Sequence, residues 1–367
     1  MGADLTDIIS CFDCEPVGYR FLPLTVGHIN QTYRVNSPEK PLYILQQINH
    51  KIFRDIEGLM NNTEMVLKAL SGTMRYINDG LKVQQLVKTR DAKLYHCDDS
   101  GNYWRLFSYI EGGKTIETVR KNNIAYEGGR AFGLFLDGVS SIKPSSLAIT
   151  IPDFHSMLKR YSAFLEALST DAVGRSSEVQ KEIALIKSRY DRMQYIPNLL
   201  NTGGIPERVV HNDTKFNNLI FSENGKAIAV TDLDTVMPGS ALFDFGDAIR
   251  TAANTAREDE PNLQKVGFDI AIFEAFAAGY IESAEHLLVD EEIQLFPEAA
   301  MLITYTQGMR FLTDFLNGDT YYRVRYPRHN LVRANVQLQL FREMEKQMPA
   351  MRKAIGRILS RLNIEKS

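Results

Sequence analysis

A short polar stretch near the middle of the chain carries the residue types that phosphoryl transfer requires. Lys215 and Asn218 follow Asp213 by two and five residues, and Asp232 follows it by 19 residues. One carboxylate could orient an acceptor hydroxyl, while amide and carboxylate oxygens could hold Mg²⁺ against nucleotide phosphates. The Asp-to-Asn interval equals that of the catalytic loop H-R-D-x-x-x-x-N of protein kinases. The stretch therefore predicts Mg²⁺-dependent phosphoryl transfer.

Short strand patterns around this stretch predict how these groups come together. Residues 207–210 indicate a strand that enters the loop, 219–221 a strand that leaves it, and 227–231 a third strand after an Asn-Gly turn. Such a hairpin would return Asp232 to the side of Asn218, so that both oxygens face one cation. An ordinary polar turn followed by a hairpin is the alternative.

Composition favours a cytoplasmic enzyme. The 367 residues are 44% hydrophobic and 24% charged, enough for two lobes that each bury a core. A net charge of −3 argues against nucleic acid as the partner. No apolar run approaches the ~20 residues that span a bilayer, and no basic-then-apolar leader opens the chain. Three cysteines indicate a reducing compartment without disulfides.

The first ~110 residues predict a small β-rich lobe that covers a nucleotide. A helical pattern at 53–70 interrupts strand patterns at 18–24, 31–35, 42–48, 83–87, 94–97 and 103–110. In the first turn, Gly27 would permit close backbone approach to ATP phosphates. His28 and Asn30 could reach phosphate or substrate from the same turn. A tight hairpin turn explains all three residues equally well.

An aromatic strand that ends before two glycines indicates a hinge. Backbone groups of Tyr109 and Ile110 could bond an adenine ring there, and a buried edge strand with its turn is the alternative. The chain then becomes mostly helical, with patterns at 117–137, 153–168, 176–195, 264–287, 291–317 and 333–362. We expect an α+β fold with a β-rich N-terminal lobe over 1–111 and a mainly helical C-terminal lobe over 112–367.

Several strings together resemble the aminoglycoside phosphotransferase and choline kinase superfamily, which has a protein-kinase-like bilobal fold. They are Gly27-His28-Ile29-Asn30, Tyr43-Ile44-Leu45-Gln46, residues 211–218, residues 232–239, Phe243-Asp244-Phe245-Gly246-Asp247 and residues 308–319. Over nearly the whole chain, these strings are similar to those of N-acetylhexosamine 1-kinases.

The resemblance implies a role for each residue of the central stretch. Asp213 would be the catalytic base that accepts the hydroxyl proton. Asn218 and Asp232 would bind Mg²⁺, with Asp234 as a supporting or second-metal carboxylate. ATP would be the co-substrate.

The resemblance also implies an acceptor, the anomeric C1 hydroxyl of GlcNAc or GalNAc. Sugar contacts would come from His28, Asp213, Arg310 and Tyr321. For Arg310, an ion pair with Asp314 one helical turn away is the structural alternative. Asp244 and Asp247 are expected to brace the catalytic loop.

The chain departs from the wider kinase pattern at the strand lysine. No Val-Ala-Ile-Lys occurs, and the expected position reads Leu45-Gln46-Gln47. A neutral amide cannot supply the charge that lysine brings to the α- and β-phosphates. We hypothesise that Lys215 provides cationic stabilisation near the γ-phosphate.

Other functions stay open from the sequence. The acceptor could be an aminoglycoside, choline or homoserine. Cys14-Glu15-Pro16 partly resembles the Cys-x-Pro-x-Arg signature of sulfatases, but Arg20 comes two residues too late. A kinase-like binding protein without activity is a third class, and the retained phosphotransfer residues argue against it. The sequence does not show whether the enzyme uses ATP or GTP, and it does not show the oligomeric state.

Overall fold

A computed structural model describes residues 4–15, 17–24 and 29–365, which form a strand-rich N-terminal lobe and a helical C-terminal lobe. The strands are β1 Arg20–Leu24, β2 Gln31–Asn36, β3 Pro41–Ile48, β4 Leu86–Val87, β5 His96–Cys97, β6 Tyr103–Ser108, β7 Lys114–Thr115, β8 Arg208–Val210, β9 Leu219–Phe221, β10 Ala227–Val230 and β11 Met237–Gly239. The helices are α1 Leu5–Ser10, α2 Ile56–Gly72, α3 Met74–Asn78, α4 Asn122–Gly138, α5 Met157–Thr170, α6 Gln180–Met193, α7 Tyr195–Asn201, α8 Ala241–Ala252, α9 Ile270–Ala284, α10 Asp290–Gln294, α11 Phe296–Leu316 and α12 His329–Glu365.

The N-terminal lobe is built on one antiparallel sheet with the order β1-β2-β3-β6-β4, and β5 pairs with β6. Successive side chains of β3 point to opposite faces. Leu45 packs with α1 on one face, whereas Ile48 packs with α2 on the other. Gln46 shares the Ile48 face by this alternation and lies directly across from Arg105 of β6. The sheet thus places two polar side chains side by side on the α2 face.

Two small sheets carry the central polar stretch. Strands β9 and β10 form the predicted hairpin, with Phe221 opposite Ala227, and β7 pairs with the other edge of β9. The entering strand β8 pairs with β11, which follows the hairpin. Both ends of the polar stretch are therefore held by strands, and the loops between them are fixed relative to each other.

The helices of the C-terminal lobe enclose the largest core. Helices α4 and α9 pack through glycines: a Cβ on Gly129 would lie 2.1 Å from the carbonyl oxygen of Phe276, and one on Gly279 would lie 2.1 Å from that of Tyr126. Long helices α11 and α12 pack against each other, and α8 packs beneath them against α11. This helical platform supports the strands of the polar stretch.

Helix α8 was absent from the sequence prediction. Ser240 caps its N-terminus by accepting from the amide of Leu242 at 3.2 Å. Most of its residues are buried, including Asp244, Gly246 and Asp247. Its apolar residues Leu242, Phe245, Ala248, Ile249 and Ala252 do recur at helical spacing, so the periodicity could have predicted this helix.

The predicted helices at 53–70, 117–137, 153–168, 176–195, 264–287, 291–317 and 333–362 correspond to α2, α4, α5, α6, α9, α11 and α12, with ends that differ by up to six residues. The short helices α3 and α7 were not predicted. The α+β, two-lobed architecture is confirmed as well, while a lobe boundary after residue 111 stays a prediction. In the described ranges, no helix combines the length and the apolar character needed to cross a membrane.

The close approach of α4 and α9 generates a stability prediction. Gly279→Ala should lower the free energy of unfolding by at least ~2 kcal/mol, because its methyl group would overlap backbone atoms of α4. Gly356→Ala in α12 is the matched control. Its Cβ meets nothing within 4 Å, so we expect a gain of about 0.5 kcal/mol from helix propensity. Urea denaturation measures both, and equal stabilities for the two variants would contradict this packing.

Candidate active site

His211 anchors the catalytic loop to the core at the end of β8. Its ring is completely buried, edge-on to Phe132 and Phe135 with ring centroids 5.7 and 5.3 Å away. The Nδ1 atom accepts from the amide of Asp213 at 3.3 Å. The Nε2 atom lies 3.0 Å from the carbonyl oxygen of Thr231. These partners fit a neutral imidazole with its hydrogen on Nε2, which ties the loop to the end of the hairpin.

Asp244 of α8 holds the same loop from below, as expected from the sequence. Its buried carboxylate accepts from the amides of His211 at 2.8 Å and Asn212 at 2.6 Å. Burial raises the pKa of Asp244 to about 6, and the two amides partly oppose that rise. Asn212 adopts a φ of +64°, a conformation that costs energy outside glycine. The paired amides stabilise this strained backbone directly before Asp213.

Asp213, Asn218 and Asp232 border a space that we call the cleft, where Asp213 lies between a cation and an amide. Lys215 Nζ lies 3.0 Å from Oδ1 of Asp213. Asn218 Nδ2 donates to Oδ2 of Asp213 at 3.0 Å and to its carbonyl oxygen at 2.8 Å. Burial alone would raise the pKa of Asp213, but Lys215, His211 and Asn218 together outweigh burial and the pKa is lowered. Asp213 is therefore ionised at neutral pH and 21% exposed, as a proton acceptor requires.

Lys215 stays charged in this setting. Burial lowers its pKa, whereas Asp213 and Asp247 raise it, and the pKa reaches about 12. The side chain of Lys215 is 34% exposed, so a negatively charged ligand can approach it.

The hairpin brings Asp232 to Asn218, as predicted. The amide of Thr231 donates to the carbonyl oxygen of Asn218 at 2.9 Å. Asp232 follows with a φ of +61°, and its side chain is exposed in the cleft. Desolvation by the surrounding cleft, followed by repulsion from Asp234 and Asp213, raises the pKa of Asp232 to about 7. A carboxylate in such a position favours a bound cation.

The donor set fits Mg²⁺ that is shared with a nucleotide. Asn218 uses its Nδ2 for Asp213, which leaves Oδ1 for a cation. Among the described residues, no group of three or more His, Cys, Asp or Glu side chains forms a metal cage. Mg²⁺ is commonly held by one or two protein oxygens together with substrate phosphates. Asn218 and Asp232 would supply those protein oxygens.

The structure places Asp234 in an ion pair. Arg105 Nη1 lies 2.5 Å from Oδ1 of Asp234, and Asn30 Nδ2 donates to Oδ2 at 2.7 Å. The side chain of Asn30 also accepts from the amide of Asn49 at 3.0 Å. The sequence prediction assigned Asn30 to the nucleotide and Asp234 to a metal. In this structure the two side chains bond each other instead, and both assignments stay predictions.

At the hinge, the amide of Tyr109 donates to the carbonyl oxygen of Leu42 at 2.9 Å. An adenine contact at Tyr109 would therefore use its carbonyl oxygen. Ile110 is buried next to it. The predicted nucleotide contact Gly27 and the predicted sugar contact His28 lie outside the described residues.

Arg310 of α11 is free of the acidic partner that the sequence offered as an alternative. Its guanidinium lies 5.6 Å from the ring centroid of Tyr322, and Nη1 donates to Gln307 at 3.1 Å. Asp314 instead accepts from the amides that follow α11, including that of Tyr321 at 2.7 Å. Tyr321 is 70% exposed, with its ring centroid 4.8 Å from that of Tyr322. Arg310 and Tyr321 thus lie on the same ring, that of Tyr322, a residue that the sequence analysis did not single out.

Two further polar residues near Arg310 were missed. Arg160 of α5 has a buried Nε without a partner, and burial followed by repulsion from Arg310 lowers its pKa. His155 Nε2 lies 3.3 Å from the carbonyl oxygen of Asn212. Burial lowers the pKa of His155 to about 4, with Asp247 opposing the shift and Arg310 adding to it. His155 is therefore close enough to the two arginines for their charges to lower its pKa, and it contacts the residue that precedes Asp213.

Comparisons with known proteins agree with this geometry. Residues 20–283 match the model of a family described as "Phosphotransferase enzyme family". A microcompartment-associated aminopropanol kinase superimposes with a TM-score of 0.65 at 16% identity, over 95% of this chain and 98% of that chain. An aminoglycoside phosphotransferase from Alicyclobacillus acidocaldarius gives 0.66 at 9% identity, over 97% and 98%. Amicoumacin kinase, solved with AMP-PNP, Ca²⁺ and Ami, gives 0.59 at 13% identity, over 94% and 92%. At these identities the structures establish a shared kinase-like fold.

Lys215→Ala tests the cation next to Asp213. Turnover should fall by about 100-fold, because the ammonium group would stabilise charge that develops during transfer, while nucleotide affinity changes little. Lys226→Ala, at the exposed hairpin turn, is the control. Steady-state kinetics and calorimetric titration with AMP-PNP measure the two effects. An equal loss in both quantities would refute a role for Lys215 at the transferred phosphoryl group.

The raised pKa of Asp244 predicts that this residue makes the free energy of unfolding depend on pH. Its pKa lies above that of an unfolded aspartate, so the native state binds the extra proton and wild-type stability falls as pH rises from about 4 to 6. Relative to wild type, Asp244→Asn should therefore gain about 2 kcal/mol over that interval. Denaturation at pH 4 and pH 6.5 measures the change, with the exposed Asp99→Asn as control. A difference independent of pH would exclude a raised pKa.

Proposed function

Since the chain belongs to the phosphotransferase enzyme family, we propose that it is an ATP- and Mg²⁺-dependent kinase that phosphorylates the anomeric C1 hydroxyl of an N-acetylhexosamine. The product would be the sugar 1-phosphate. The charge on the acceptor side of the cleft carries this proposal, because it distinguishes sugars from the positively charged acceptors that related kinases use.

Asp213 has the protonation state and exposure of a base that orients an acceptor hydroxyl. An anomeric hydroxyl is more acidic than that of an ordinary alcohol, which suits a carboxylate whose pKa is lowered. Asn218 and Asp232 would hold Mg²⁺, which neutralises charge on the nucleotide phosphates. Lys215 adds a second cation next to Asp213. Positioning and electrostatics supply most of the acceleration in such enzymes.

Among the described residues, Arg160 and Arg310 have no acidic partner, and their guanidinium groups would face the acceptor. In the described ranges, no Asp or Glu oxygen lies within 4.0 Å of Arg160 or Arg310. The nearby Asp247 is already paired with Arg250 at 2.7 Å. This surplus of positive charge would repel choline, aminopropanol and aminoglycosides, which are cations at neutral pH. Ring hydroxyls and the acetamido oxygen of an N-acetylhexosamine would accept hydrogen bonds from the same arginines.

An acceptor screen tests the proposal. The purified protein with MgATP should phosphorylate GlcNAc or GalNAc, and ³¹P NMR of the product should show a phosphate on C1. Choline and kanamycin should be poor acceptors because of their charge. Homoserine is the informative competitor, since its carboxylate would also suit the arginines. Exclusive transfer to homoserine or to a cationic acceptor would overturn the sugar assignment, and GTP in place of ATP would define the nucleotide.

Arg310→Gln tests the sugar contact directly. The KM for the sugar should rise by about 10- to 100-fold, which corresponds to the loss of a hydrogen bond from a charged group. The KM for ATP should change little. The exposed Arg328, which pairs with Glu178, provides the matched control Arg328→Gln. An unchanged KM for the sugar in Arg310→Gln would remove this residue from the acceptor site.

A further inference from the structure

A buried ion pair joins the small lobe to the metal-binding loop at the strand position where the kinase lysine is missing. We propose that Arg105 is a positioning residue for phosphoryl transfer, which holds the loop of Asp232 through Asp234 from the level of the sheet where the strand lysine is missing. The inference rests on the proposed Mg²⁺-dependent kinase activity, but it is independent of the acceptor.

The position of Arg105 next to the missing lysine follows from the strand register. Gln46 of β3 occupies the position where the sequence lacks the lysine, and Arg105 of β6 is its direct cross-strand partner. Gln46 Nε2 donates to Thr32 at 3.1 Å, which orients its Oε1 toward β6. That oxygen accepts from Nε of Arg105 at 3.0 Å. A cation is thus present at this level of the sheet, but the neighbouring strand supplies it.

The ion pair is enclosed on both sides. The side chains of Arg105 and Asp234 are only 2% and 4% exposed. The guanidinium also lies 5.0 Å from the ring centroid of Phe107. Breaking one partner of a buried pair leaves an uncompensated charge in the interior, which is strongly unfavourable. The pair therefore constrains the distance between β6 and the loop that contains Asp234.

That loop contains the candidate metal ligand. Asp232 has a φ of +61° and directly precedes the tight turn Leu233–Thr235. The turn is held to the C-terminal lobe from its backbone, where Thr150 donates to the carbonyl oxygen of Asp234 at 2.9 Å. The side chain of Asp234 is held to the small lobe by Arg105 and Asn30. Both lobes therefore contribute bonds to the turn that follows the strained backbone of Asp232.

The strand cation of this chain has a different partner from the strand lysine of protein kinases. There, the strand lysine pairs with a glutamate of a helix in the same lobe, and the metal aspartate must be placed separately. Here, the strand cation pairs directly with the metal-binding loop, so one contact couples lobe position to metal binding. Arg105 is too deeply buried to contact a phosphate in this structure and acts through Asp234.

Calorimetric binding of AMP-PNP, with excess Mg²⁺ and with EDTA, tests the coupling without relying on turnover. In Arg105→Gln, the ratio of the AMP-PNP affinity with Mg²⁺ to the affinity with EDTA should fall by about 10- to 100-fold. This is the size of effect expected when a residue that supports a metal ligand is lost. Affinity for metal-free AMP-PNP should stay within about threefold of wild type, and kcat should fall with the Mg²⁺ effect.

Arg130→Gln is the matched control. Arg130 is also buried and paired with acidic residues, but it lies in α4 and does not contact the loop of Asp232. It should lose stability and keep the wild-type effect of Mg²⁺. An unchanged effect of Mg²⁺ in Arg105→Gln would overturn the inference. Equal weakening of AMP-PNP binding with Mg²⁺ and with EDTA would also overturn the inference, because that result would indicate a direct contact between Arg105 and a phosphate.

A double-mutant cycle shows whether Arg105 acts through Asp234. In the Asp234→Asn background, Arg105→Gln should cause no further loss of the Mg²⁺ effect, since the pair is already broken. Additive losses would contradict the route through Asp234. If Arg105→Gln does not fold, Arg105→Lys replaces it: lysine keeps the charge but cannot bond Gln46 and Asp234 together, so an intermediate effect is expected. A wild-type protein that shows no effect of Mg²⁺ would instead refute the proposed kinase function.

Discussion

Mutual repulsion among the carboxylates of one cleft is the constraint on which the site depends. Asp213, Asp232 and Asp234 influence one another, and the pKa of Asp232 rises to about 7, first through desolvation and then through repulsion from the other two. Lys215 balances Asp213, and Arg105 balances Asp234. Among the described residues, no cation is in ion-pair contact with Asp232, which is the electrostatic condition that a metal ion and a nucleotide would satisfy.

The rest of the fold holds these charges at fixed positions. Buried Asp244 pairs with two loop amides, and His211 ties the loop to the end of the hairpin. Both Asn212 and Asp232 have positive φ angles, and strained residues of this kind persist where the surrounding structure over-determines them. The glycines of α4 and α9 bring the backbones of these two helices into close contact within the helical platform. On the other side of the cleft, the small lobe contributes Arg105 and Asn30.

The sequence predicted the parts of the site that are local in the chain. Asp213, Asn218 and Asp232 are related by a loop and one hairpin, so spacing and turn chemistry were sufficient. Arg105 could not be found in this way, because only the register of β3 against β6 brings it to Gln46. Arg160 of α5 and His155 of the turn before it come near Arg310 because α5 packs against α11, and no local pattern encodes that packing. A search for cations on the strands adjacent to the missing lysine would have singled out Arg105.

The central claim is that Asp213 accepts the acceptor proton in a cleft that otherwise binds MgATP. Comparing Asp213→Asn with wild type tests it most directly, by measuring phosphoryl transfer from ATP and calorimetric binding of MgAMP-PNP on the same preparations. The account predicts that transfer falls by at least ~1,000-fold, because base and hydroxyl orientation are lost together, while nucleotide affinity is retained. Full transfer activity in Asp213→Asn would contradict the account.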